Sequence, residues 1–362
     1  MKKLLCAAVP SLALASAVFA GELRGIEFAD SDWEIVCDNT RTCRAAGYHP
    51  LSNDDDDGSD DDGDTDAADK TLPVSVLLTR KAGPGQPVAG ELQIGHGAGA
   101  LTDIHPGNVS LTMLIDAAPV GLVALADEDW TARLTPAQVE ALLVALLHHG
   151  KIEWTDGKSK WRLSDKGATA VMLKMDEFQG RPGTPGALVA KGDRAERHAL
   201  PAVPAPVVVA PRVPADGRVQ LSRASRKALR DALIASAGDE CPALENSLRA
   251  SDYIHVQRLS GTRLVASATC WMGASGVGEA YWVINASPPF APRIVTTDGM
   301  YSNGTIRTAG RASMAGCADF EEWTWNGKRF VQTRKGTTGM CRGISLGGAW
   351  PLPVLVTDVR RR

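Results

Sequence analysis

The sequence is poor in the patterns that would identify a reaction. It has no C-x-x-C pair, so zinc ribbons and thioredoxin-type redox chemistry lack their spacing. Its seven histidines, His49, His96, His105, His148, His149, His198 and His255, are scattered, and none stands in H-E-x-x-H. Gly273-Ala274-Ser275-Gly276-Val277 misses the G-x-S-x-G nucleophile elbow at its last position and reads as a loop. No internal repeat is visible. Past residue 20 no apolar stretch is long enough to span a bilayer, so no membrane span is expected in the mature chain. Together these absences lean away from an enzyme of a familiar type.

What is present begins with an export signal. Met1-Lys2-Lys3 is a short basic start. Leu4 to Phe19 is apolar and small, too short and too rich in alanine and serine for a good membrane span. Val18-Phe19-Ala20 places small or medium residues where a signal peptidase reads, which predicts cleavage after Ala20. Leu5 before Cys6 does not suit a lipid anchor, so Cys6 leaves with the leader. Six cysteines remain, an even number, in an oxidising compartment where disulfides form; the protein is expected to be periplasmic or secreted.

The formal net charge is −3, and it becomes −5 once Lys2 and Lys3 leave with the leader. Ten aspartates fall within residues 54–69, and without them the mature chain would carry +5. One insert, residues 53–70, therefore sets the sign of the whole protein. Its composition predicts a solvated, disordered tract. A second reading is a calcium site. Asn53, Asp55, Asp57, Asp61 and Asp64, with Gly58 at the turn, follow an alternating-carboxylate spacing that can converge on one hard cation.

Pro201, Pro204, Pro206, Pro211 and Pro214 punctuate residues 198–219. Proline fixes φ and removes backbone donors, which predicts an extended linker. It divides the chain into an α+β domain (21–197) and a mainly antiparallel β domain (220–362). In the first, Trp33–Cys37 alternates like a strand, followed by strand-like runs at 74–79, 91–95, 109–115 and 120–125. Thr135-Pro136 caps a helix with an apolar stripe at Val139, Leu142, Leu143, Leu146 and Leu147, stopped by Gly150. His148-His149 ends that helix in a capping role. Asp156-Gly157 turns a hairpin, a second helix runs from Ser164 or Asp165 to about Phe178, and Thr184-Pro185 starts a short third one. In the second domain one helix spans about 223–236. β-runs follow at 253–259, 263–270, 280–284, 293–297, 305–308, 322–325 and 329–333, with Asn326-Gly327 as the strongest hairpin signal.

The helix–hairpin–helix of residues 135–178 has the outline of a winged helix. Its recognition face, however, carries Asp176 and Glu177 beside Lys166 and Lys174 and has no arginine, so nucleic acid is not an expected partner. At the corner after Asp176, Gln179, Arg181 and Thr184 lie where one helix ends and another begins. This is the first choice for a ligand site, since a helix N-terminus beside an arginine can hold an anion. The competing and favoured reading is an Asp176–Arg181 ion pair that fixes the turn. Trp271, Tyr281, Trp282, Trp323, Trp325, Phe330 and Trp350 crowd into the second domain. They suit a stacking platform for sugar or peptide, or more ordinarily a tryptophan-packed β core. Locality and the linker select three disulfides: Cys37–Cys43, Cys241–Cys270 and Cys317–Cys341.

Three blocks carry a family resemblance. They are Asp32-Trp33, Cys37-Asp38-Asn39, Cys43 and Gly47-Tyr48; then Ser164, Gly167, Ala170, Met175-Asp176, Gln179-Gly180-Arg181, Gly183-Thr184, Ala187-Leu188 and Gly192; then Gly316-Cys317, Trp323, Trp325-Asn326-Gly327, Phe330, Met340-Cys341-Arg342-Gly343 and Trp350-Pro351. In these the chain resembles DUF1176, a family of exported bacterial six-cysteine proteins of unknown function. The opening block is also similar to invasion-associated locus B proteins. The resemblance implies export and paired cysteines and brings no catalytic residues; the acidic insert departs from it. The expected function is a non-catalytic module binding an envelope ligand or an envelope protein, without a cofactor. The alternatives are a hydrolase centred near Asp176 and Arg181 or a calcium-binding envelope protein.

Overall fold

Alternation along the first strands divides their side chains between two cores. Trp33, Ile35, Val76 and Leu78 face one way, while Val36, Ala46 and Leu77 face the other. The structure is a computed structural model describing residues 24–51, 72–95, 109–126, 130–215, 217–246, 254–273, 276–308 and 317–362. The leader ending at Ala20 and the acidic insert with Asn53, Asp55, Asp57, Asp61 and Asp64 lie outside the described residues.

The chain is mostly β, in several antiparallel sheets, with few helices. The first sheet runs β1 (Ile26–Asp30), β2 (Trp33–Cys37), β3 (Cys43–Tyr48), β4 (Val74–Arg80), β5 (Val88–Ile94) and β8 (Thr131–Arg133), in that spatial order. The second holds β10 (Lys160–Leu163), β9 (Ile152–Thr155), β6 (Ser110–Ile115) and β7 (Ala118–Ala124). Helices α1 (Pro136–Leu147) and α2 (Ala168–Phe178) close the core between them around Trp33, Trp154, Trp161 and Met172. Thr135 and Gln138 form a reciprocal capping box on α1. The left-handed residue that ends this helix is His149 (φ 58°), not Gly150.

Thr184-Pro185 does not start a helix. Residues 181–195 run as turns, with the Thr184 N–H donating to the Arg181 carbonyl at 2.9 Å. Asp176 accepts from the N–H groups of Leu188 and Val189, and Glu196 from that of Gly186. Two N–H groups that a helix from Thr184 would bond internally, those of Leu188 and Val189, are thus taken by a side chain.

In the second half, α3 (Arg223–Ala237) and α4 (Pro242–Asn246) cover one face of a sheet ordered β12 (His255–Arg258), β13 (Arg263–Gly273), β14 (Gly276–Asn285) and β15 (Arg293–Thr296). Its other face packs Val265, Tyr281 and Val283 against Ile306, Trp325 and Phe330. These belong to a sheet of β16 (Met300–Ser302), β17 (Thr305–Arg307), β18 (Asp319–Trp325), β19 (Phe330–Thr337) and β20 (Leu352–Leu355). The cysteines pair as Cys37–Cys43, Cys241–Cys270 and Cys317–Cys341.

Within the proline-rich stretch, β11 (Val207–Ala210) pairs in parallel with β21 (Asp358–Arg361). Farther along the chain, residues 340–354 cross back and cover the outer face of the first sheet. There Ile344, Trp350 and Leu352 pack on Val36, Ala46, Tyr48 and Leu77. Asn39 exchanges hydrogen bonds with the backbone of Val356, donating at 3.1 Å and accepting at 2.8 Å.

Candidate ligand-binding cleft

The corner singled out by sequence is assembled but closed. Asp176, Gln179, Arg181 and Thr184 come together at the end of α2, and all four have 0% exposure. Arg181 donates from Nε to Gln179 Oε1 at 2.9 Å, from Nη1 to Glu196 Oε1 at 2.8 Å and from Nη2 to the Gly83 carbonyl at 2.6 Å. Gln179 Nε2 in turn donates to the carbonyls of Arg41 and Arg80. The Asp176–Arg181 side-chain pair expected from sequence is replaced by two others, Asp176 with Arg80 at 3.5 Å and Arg181 with Glu196. The Arg181 N–H closes the helix end on the Asp176 carbonyl, while its guanidinium is taken up by Gln179, Glu196 and the Gly83 carbonyl. Burial raises the Asp176 carboxyl above its ordinary range, against the pull of the Val189 and Leu188 N–H groups. Burial, then Arg181 nearby, draws Arg80 down to about 10. The cluster is a clamp that ties the turns of 181–196 to the β4–β5 hairpin.

A second polar cluster joins the 340–354 segment to the first sheet. Glu34 Oε1 accepts from the Tyr48 hydroxyl at 2.5 Å and from the Met340 N–H at 2.6 Å. Arg342 pairs with Asp32 at 2.8 Å. Gly339, at φ 90°, sits directly against the Tyr48 hydroxyl where a Cβ has no room. Burial pushes the Glu34 carboxyl up, against the Tyr48 and Met340 hydrogen bonds; Glu27 adds to the rise and Arg342 opposes it. A carboxyl raised in the native state keeps its proton while the unfolded chain ionises near 4.5, so stability falls as pH climbs from there through the native value and then levels. Glu34→Gln keeps the accepting oxygen and never ionises. Denaturant melts from about pH 4 to pH 8 are expected to show the variant free of that decline. A difference between the two proteins that is constant with pH would contradict this account.

An open cleft lies elsewhere, where the two sheets of the second half part. It has a volume of about 320 Å³ and is lined by Arg263, Arg293, Lys328 and Arg329 above a floor of Val283, Val295, Trp323 and Phe330; Ile294 also borders it but packs on the opposite, helix-covered face of its sheet. Each element delivers its cation for a local reason. Ser260 Oγ accepts the N–H of Arg263 and starts β13. Asn285, directly opposite in register, accepts from Arg263 Nη1 at 2.6 Å and is itself held by the Pro289 carbonyl at 2.8 Å. Arg293 opens β15. In the Asn326-Gly327 turn, Asn326 Oδ1 takes the N–H groups of Lys328 and Arg329 at 2.9 Å, which leaves both side chains at the rim while Phe330 turns inward. A bulge between Glu322 and Trp323 precedes a half-buried Trp323 in the cleft, while Trp325 is 1% exposed in the core behind it.

No carboxylate lines this cleft. Among the described residues, the side chains of Arg293, Lys328 and Arg329 have neither an ion-pair nor a hydrogen-bond partner, whereas nearby Arg307 and Lys335 pair with Glu322 and Glu321. Sequence reasoning noted Trp323 and Phe330 but missed the four cations. Lys328-Arg329 after an Asn-Gly turn was the one local signal; Arg263 and Arg293 join them only through strand pairing.

Residues 27–357 match the family described as Protein of unknown function (DUF1176). No curated protein and no solved structure matches the chain.

Proposed function

The chain belongs to the DUF1176 family, and on that premise we propose that it is an exported, disulfide-stapled binding module that holds a small anionic component of the cell envelope. Export rests on the leader and its cleavage after Ala20, and the periplasm or the exterior is where three disulfides persist. In this reading an α+β region (21–197) and a mainly antiparallel β region (220–362) are joined through 198–219, with the binding site in the second.

One observation carries the reading: four cations and no acid surround a cleft with an apolar floor. Three of the four, Arg293, Lys328 and Arg329, have no side-chain partner among the described residues and offer an anion their full charge, and arginine adds a planar fork suited to carboxylate and phosphate. The cleft lies at the small end of the range for ligand sites, which favours a small molecule over a protein epitope. The burial of Asp176 and Arg181 supports a binder over a hydrolase centred on them.

Calorimetric titration with inorganic phosphate at low ionic strength is expected to show binding that weakens as salt is raised. The double variant Arg293→Ala/Arg329→Ala should lose at least tenfold in affinity, about 1.4 kcal/mol or more. Both residues are exposed, so the variant should melt as the parent does. Affinity unchanged by the double variant would remove the cleft as the site.

A further inference from the structure

We infer that the ligand of this cleft is an acidic saccharide, a sugar ring bearing phosphate or carboxylate; the inference rests on the cleft being the anion site proposed above. Two features of the lining select it. The rim is made only of donors, because arginine and lysine side chains have no acceptor. A neutral sugar presents hydroxyls that donate as well as accept, and no side chain of the rim offers them an acceptor. Phosphate and carboxylate are acceptors throughout and match it. The floor is apolar and partly aromatic, with half-buried Trp323 beside Phe330. A bare inorganic anion would leave that floor unused and much of the 320 Å³ unfilled. A sugar ring covers it with its C–H face, the packing an indole favours for a flat, amphipathic partner.

The layout also argues against an acyl chain with one charged head. β15 supplies Arg293 and, on the same face, Val295, and the hairpin supplies Lys328 and Arg329 followed by Phe330. Cations therefore stand on both walls, each next to apolar residues, rather than together at one end. A ring lying on the floor meets cations around its edge; an acyl chain would meet charge where it needs cover. Asn285 is the positioning residue of the set. It fixes one nitrogen of Arg263 and leaves the remaining N–H groups for the ligand.

The full mature chain is titrated calorimetrically with glucose 6-phosphate, digalacturonate, glucose, inorganic phosphate and octanoate. Glucose 6-phosphate is expected to bind at least tenfold more tightly than inorganic phosphate, digalacturonate to bind as well, and glucose not at all. Trp323→Leu should erase the advantage of glucose 6-phosphate while leaving phosphate affinity as it was, and Trp323→Phe should retain part of it. Phosphate and glucose 6-phosphate binding equally would overturn the saccharide and leave the anion site standing. Octanoate binding most tightly would overturn it in favour of an acyl chain. Glucose binding as well as its phosphate would overturn the donor-only argument. Binding of none of the anions would overturn the saccharide and the cleft together.

Discussion

Arg181→Ala is expected to lower the unfolding free energy by about 3–5 kcal/mol, the cost of a large buried void together with interior polar groups left unpaired. The side chain is completely buried and makes its bonds to Gln179, Glu196 and Gly83 from three different nitrogens. Alanine leaves the Gln179 oxygen and the Gly83 carbonyl without their donor and opens a void of guanidinium size. Arg181→Lys retains the charge but not the fork, and should fall between alanine and the parent. Because the clamp and the cleft are separate, the folded fraction of either variant should bind phosphate with parental affinity. A loss of binding without loss of stability would reverse the assignment and return this corner to the role of a ligand site.

Trp350→Ala should cost a similar amount, about 3–5 kcal/mol for a large buried aromatic. Trp350 is 5% exposed, packs with Ile344 and Leu352 on the outer face of the first sheet, and donates from Nε1 to Ser75 Oγ at 2.7 Å. The contact joins residues 275 apart in sequence. The expected readout is one cooperative transition, shifted as a whole, in which the first sheet and the second half melt together. Two transitions, with only the later part of the chain affected, would show that the outer face of the first sheet does not depend on its cover. Trp350→Phe should recover most of the packing and lose the hydrogen bond to Ser75.

Local signals were legible where a few neighbouring residues decide the outcome. Thr135-Pro136 begins α1 as expected, the Asp156-Gly157 turn closes β9 on β10 with Gly157 at φ 92°, and α3 starts at Arg223 behind a Ser222 cap. Strands β3, β8, β20 and β21 were not legible. Their sequences are short, or glycine- and alanine-rich, or charged, and they are strands because a neighbour supplies the ladder. The candidate site divides the same way. Trp323 stood out by residue type. Its cationic companions are ordinary surface residues until two sheets bring positions 263, 293 and 328–329 to one rim. Asp176 and Arg181 were open to two readings for a physical reason: an arginine beside a helix end has the same local sequence whether its fork meets solvent or, as here, the carbonyl of Gly83 in a distant hairpin.

The crossing of residues 340–354 onto the first sheet has a consequence for how the chain acquires its structure. Met340 bonds Glu34 across 306 residues, and Arg342 bonds Asp32 across 310. A sheet made early therefore waits, with Val36, Ala46 and Leu77 bare, until a segment synthesised much later arrives. Contacts this distant slow folding, because a long loop must close before they return any stabilisation. Folding in the order of synthesis, one half and then the other, leaves a greasy face open in the interim. Under the export proposed above, the chain would meet the same delay outside the cytosol, and its yield would then depend on whatever shields apolar surface there, more than its final stability would suggest.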